Sequence, residues 1–89
     1  MAFGMTLADR ISFGNLKLRI YNVTDAQSGG SDFFPGMDTC VAVKAVNNTD
    51  SSDTFKEAVG AQTAATTRNK ITLTPVSSND DGHCWIWGR

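Results

Sequence analysis

The run His83-Cys84-Trp85-Ile86-Trp87 constrains this 89-residue chain more than any other stretch. In an extended strand successive side chains point to opposite faces, so His83, Trp85 and Trp87 share one side and Cys84 and Ile86 the other. Both sides are apolar, and a strand of that kind has to be covered twice. A domain of this length buries only about 60–65% of the surface its unfolded chain exposes. The second cover is therefore expected from another molecule. The arrangement expected is tryptophans inward, with Cys84 and Ile86 facing a neighbour as an oligomer interface. A one-residue change of register would exchange the two sets.

Upstream, Ile71 and Leu73 alternate with Thr72 and Thr74, and a cluster of turn formers ending in Asp81-Gly82 separates them from the terminal strand. Residues 70–89 thus read as a β-hairpin with Asp81-Gly82 as its turn pair. Pro75 falls at a strand end, where a missing donor costs little. Leu16–Thr24 gives the clearest alternation, with Leu16, Leu18 and Ile20 toward a packed face and Lys17, Arg19 and Tyr21 toward water. Asp38–Val46 reads as a central strand. Thr54–Val59 alternates Phe55, Glu57 and Val59 as a strand does, although Asp53 could cap a single helical turn there. The intervening stretches 25–36, 47–53 and 60–69 are rich in Gly, Ser, Asp, Asn and Thr and read as loops.

Helix formers are few: Glu occurs once, at Glu57, and Leu is scarce. The fold expected is all-β, a small antiparallel β-sandwich or partly open barrel of about five or six strands. Residues 1–12 would form an extended N-terminal arm and residues 13–89 a single β domain. Phe3, Met5 and Leu7 stud the arm, which is either an added edge strand or a tail that docks on a neighbour. Phe33 and Phe34 are adjacent aromatics in a loop. One of them can plug the end of the core, and either can anchor a partner.

Charge and cysteine usage narrow the functions. With a net charge of −1 and Lys and Arg spread along the chain, a nucleic-acid partner is not expected. No run approaches the ~20 apolar residues of a membrane span, and the start lacks the pattern of a signal peptide. Cys40 and Cys84 read as two small buried thiols, with a disulfide as the alternative. Two isolated Cys and one His without C-x-x-C spacing supply no structural metal shell, so neither metal nor cofactor is expected. His83 is the only histidine. A Ser-His-Asp set with Asp80 or Asp81 can be written, but no nucleophile motif accompanies it, and the chain is not expected to be an enzyme. Trp85 and Trp87 could also stack on a sugar or base.

The order of features resembles a known group. Arg10–Leu18 (RISFGNLKL), Val23-Thr24, Ser28–Gly30, Phe34–Val43 (FPGMDTCVAV), Asn69–Thr74 (NKITLT) and Asp81–Gly88 (DGHCWIWG) follow in a layout similar to the small β-rich virion proteins of tailed bacteriophages. That resemblance implies a non-enzymatic capsid decoration or cement protein, made in the host cytoplasm and carried on the virion. Its partners would be the major capsid protein and further copies of itself, with a homotrimer favoured. Phe3, Met5, Leu7, Phe33 and Phe34 are the partner-binding candidates. A tail, fibre or spike component is the alternative, and a small ligand-binding module using Trp85 and Trp87 a further one.

Overall fold

The computed structural model describes residues 3–49, 54–64, 66–75 and 80–89. Seven strands follow in order: β1 (Gly4–Phe13), β2 (Leu16–Ala26), β3 (Ser31–Phe33), β4 (Cys40–Asn47), β5 (Lys56–Val59), β6 (Ile71–Thr74) and β7 (Asp80–Gly88). They form two antiparallel sheets, one of four strands in the order β1-β2-β7-β4 and one of three in the order β3-β6-β5. The protein is all-β and compatible with a small sandwich.

The local chemistry explains the elements. Gly14, at φ 62°, makes the tight reversal between β1 and β2, a left-handed conformation that costs glycine nothing. The two strands then pair from Phe13↔Leu16 out to Gly4↔Thr24, with a bulge between Leu7 and Asp9. Of the two alternatives for the N-terminal stretch, the edge strand is the one observed. The stretch 60–69 is closed at its neck by a hydrogen bond from Gly60 N to Lys70 O at 2.9 Å. Thr67 Oγ1 ties it internally by donating to Ala61 O at 2.6 Å. The C-terminal Arg89 exchanges backbone hydrogen bonds with Asp38 and Thr39, which holds the end of β7 against the start of β4.

The core lies between the sheets. Tyr21, Val23 and Ala26 of β2, Cys40 and Ala45 of β4, and Cys84 and Ile86 of β7 meet Ile71 and Leu73 of β6, with Phe55 and Met37 closing the sides. Ile71, Leu73, Cys84 and Ile86 are all 0% exposed.

Four expectations are corrected. The hairpin over 70–89 does not form: β6 and β7 belong to different sheets. Asp81 and Gly82 lie inside β7 and not in a turn. Gly82 is required there by close approach, since a Cβ would sit 2.0 Å from the Val46 carbonyl oxygen. The expected central strand, β4, is an edge of its sheet, and β7 is interior.

The fourth correction concerns the faces. Cys84 and Ile86 are sealed in the core of their own chain, so they are not an oligomer interface, and Trp85 and Trp87 point outward. The faces of β2 follow suit: Tyr21 and Val23 are buried in the core, whereas Leu16, Leu18 and Ile20 share the outer side with the tryptophans. The gap between sheets is about 10 Å. Opposite the short β6, with its two inward apolar residues, that space suits Cys84 and Ile86 better than two indoles.

Candidate partner-binding face

Strand register places the outer side chains of the four-stranded sheet in rows. Asp9, Ile20, Trp85 and Lys44 lie side by side across β1, β2, β7 and β4; the next row is Ile11, Leu18, Trp87 and Ala42. Toward the other end lie Thr6, Asn22, His83 and Val46, and beyond the tryptophan rows Phe13 pairs with Leu16. The second sheet packs on the opposite side, so nothing in the chain's described residues covers this face. Leu18 is only 9% exposed although it stands outside the core cluster. Its neighbours in the row, Ile11 and Trp87, shield it laterally.

The apolar character is concentrated here. Of the exposed large hydrophobic residues, Ile11 (42%), Phe13 (55%) and Val46 (45%) lie on this face, and Val41 (49%) stands at the β4 bulge beside it. A solvated sheet face alternates polar residues outward, and this one does not. Two of its charges stand at opposite edges of the central row, Asp9 on β1 and Lys44 on β4, both exposed, and a third, Asp81, is exposed at the polar end of β7. Neither Asp9 nor Lys44 forms an ion pair among the described residues, where the Lys70–Asp32 contact at 3.7 Å is the one salt bridge.

The edges of the sheet are blunted. Both β1 and β4 carry a bulge, and β1 adds Asp9 and Arg10. Bulges and charges at edges discourage strand addition by another chain.

The residues singled out for partner binding separate into two groups. Phe3 and Met5 are partly buried and pack against the core of their own chain, as does Phe33. Phe33 meets Tyr21 edge to face at 4.9 Å and 71°. Leu7 and Phe34 remain open, at 44% and 54% exposure. Leu7 lies on the inner side of β1, opposite Tyr21 in register. Sequence reasoning missed Leu16, Leu18 and Ile20 as surface residues. Their alternation marks a strand, but it does not tell which of the two sides faces the core.

At one end of the sandwich a polar cluster ties the strands. Asn47 Nδ2 donates to the buried Asp80 Oδ2 at 2.7 Å, Asp25 N to Asp81 Oδ1 at 3.0 Å, and Asp81 N to Thr49 Oγ1 at 2.7 Å. His83 Nδ1 lies 2.8 Å from Asn48 Oδ1. Asp80 points into the core and His83 away from it, on opposite faces of β7, so the pair does not assemble a charge-relay geometry. Among the described residues no group of three or more His, Cys, Asp or Glu could hold a metal ion. A shallow depression open to solvent at the β1–β2 hairpin brings Arg10, Lys17 and Arg19 together. Arg19 is also held by the Pro35 carbonyl, to which it donates.

Both cysteines are free and buried. Burial pushes the Cys40 thiol up, with Arg19 acting weakly the other way. Cys84 is pushed up to about 12, first by burial and then by the Glu57 carboxylate. They are neutral packing groups at ordinary pH.

Comparison with known proteins finds no family model, no curated protein and no solved structure that matches the chain.

Proposed function

We propose that this chain is a non-enzymatic virion structural protein of a tailed phage, a decoration or cement protein that binds the assembled capsid as a homo-oligomer. The observation that carries this reading is the outward apolar face, in which half-buried Trp85, Trp87 and Ile20 surround Leu18 and the exposed Ile11, Phe13 and Val46 complete the surface. A small sandwich with so much outward apolar surface works by being covered. The resemblance in layout to small phage virion proteins supplies the setting. Leu7 and Phe34, exposed away from that face, are the contacts left for the major capsid protein. A protein that binds the finished lattice and not its free pieces stabilises it by mass action.

The outward tryptophan pair also favours a second reading, a platform on which a sugar ring or base stacks. Small-ligand sites add convergent polar groups to such a platform, whereas the neighbours of Trp85 and Trp87 along their rows are Ile20, Leu18 and Ala42, with Lys44 at one edge. Protein contact is the better fit.

Imaging the virion that carries the chain tests the proposal. Density for the sandwich on the outer capsid shell, at contacts between capsid subunits, is the expected result. Density confined to the tail would move it to the fibre and spike class, and absence from the particle would overturn the virion assignment.

A further inference from the structure

We propose that the outer face of the β1-β2-β7-β4 sheet docks on the same face of a second copy, about a two-fold axis that runs parallel to the strands between β2 and β7. This deepens the reading of that face as a protein interface and is independent of where the assembly is mounted. It replaces the three-fold symmetry implied by the resemblance with a two-fold one.

Three features select that axis. The first is charge. A two-fold along the strands lays β1 of one copy over β4 of the other, so each row meets its own mirror order. In the central row Asp9, Ile20, Trp85, Lys44, each Asp9 then faces the partner copy's lysine, and each Lys44 its aspartate. Each charge stands about 7 Å to one side of the axis, half of three strand spacings. A two-fold across the strands would instead set aspartate on aspartate and lysine on lysine, which is repulsive in a desolvated interface.

The second feature is polarity along the strands. Thr6, Asn22 and His83, with Val46 the one apolar member of their row, occupy one end of the face, and Phe13, Leu16 and the tryptophan rows the other. An axis along the strands keeps like ends together, whereas one across them places the polar end on the apolar one. The third is shape. In the second row Ile11 comes to lie over Ala42 and Leu18 over Trp87, so large residues meet small or indented positions.

The size is adequate. Four strands at about 4.8 Å and about nine residues at 3.3 Å cover about 570 Å² in projection, or about 1,140 Å² for two copies before side-chain relief is counted. Specific interfaces begin at about 1,200 Å². Two sheets also stack face to face at about 10 Å, a gap that a lysine and an aspartate side chain together bridge. The bulged, charged edges leave the face and not the edge as the route to self-association.

Sedimentation velocity over a concentration series, on the wild type, D9K, K44D and the D9K/K44D double variant, tests the inference. The wild type should sediment with twice the 9.6 kDa mass of one chain. Each single variant should weaken the dimer by about tenfold or more, because it opposes like charges twice, and the double variant should restore it to within about threefold of wild type. Both positions are exposed, and unchanged far-UV circular dichroism confirms that each variant folds. A wild-type monomer at 100 µM, a trimer, or a double variant as weak as the singles would overturn the two-fold arrangement. None of these results bears on capsid location, which the virion image decides separately.

Discussion

Trp85 lies directly opposite Ile20 across the β2–β7 ladder, on the side of the four-stranded sheet that the second sheet leaves bare. One residue along, Cys84 stands opposite Tyr21 inside the core. A single strand thus divides its bulk: small groups go between the sheets and indoles go to the surface. The functional proposal and the physical predictions both depend on this division.

The two loop phenylalanines should behave differently. Phe33→Ala removes an edge-to-face contact with Tyr21 and core packing, and is expected to cost about 2–4 kcal/mol. Phe34→Ala, at a site 54% exposed, should leave stability within about 0.5 kcal/mol. Urea unfolding curves of the two variants measure the contrast.

Removing residues 1–7 should destabilise the fold as well as any partner contact. The deletion takes away Phe3 and Met5, which pack on the core, and the ladder pairs of Gly4, Met5, Thr6 and Leu7 with β2. A loss of about 2–5 kcal/mol is expected, read as a lower urea midpoint. An unchanged midpoint would mean that the segment is a free arm.

Gly82→Ala should be severe for a residue that gains only a methyl group. Its Cβ would meet the Val46 carbonyl oxygen at 2.0 Å and Phe55 at 2.7 Å, so β4 and β7 would have to part. A cost of about 3 kcal/mol is expected. Gly14→Ala meets no neighbouring atom and pays only for its positive φ, so it should cost about 1 kcal/mol. Thermal melts of the two variants give the ranking.

Alkaline pH should unfold the protein through its buried thiols. Cys84 is held near 12 in the fold against an ordinary value of 9.0. Well below pH 9 the thiol is neutral in both states and stability is unaffected by it. Between 9 and 12 only the unfolded chain ionises, and stability falls by roughly 1.4 kcal/mol per pH unit from this group. Cys40 adds to the loss in the same direction. Urea unfolding between pH 8 and 10.5 should show this decline, and Cys84→Ala should make it shallower, leaving the part due to Cys40. Both thiols should also resist a thiol reagent at pH 8 until the chain is denatured.

Much of the architecture was legible in the residues. The scarcity of Glu and Leu and the alternation in Leu16–Thr24, Asp38–Val46 and His83–Trp87 marked an all-β chain, and Lys56–Val59 is a strand as its alternation indicates. What could not be read was orientation. A period of two identifies a strand, but where both sets are apolar, as in β2 and β7, it carries no sign for inside and outside. The choice is made by the other sheet, whose short β6 offers Ile71 and Leu73 as facing surface and leaves room for Cys84 and Ile86. Pairing was hidden for a related reason. A run of turn formers between two strands is equally compatible with a hairpin and with a crossing from one sheet to the other, and β6 finds β3 and β5 instead of β7. The short β3 was masked by the Gly, Ser and Asp around it.

The account rests on the outward face being covered on assembly, and the two tryptophans, both on that face, are the only ones in the chain. Acrylamide quenching of their fluorescence, followed over a dilution series beside the sedimenting mass, is the most direct measurement. Weak quenching and blue-shifted emission in the oligomer should give way to strong quenching and red-shifted emission as the mass falls to 9.6 kDa. Quenching that stays the same while the oligomer dissociates would contradict the assignment of this face as the interface.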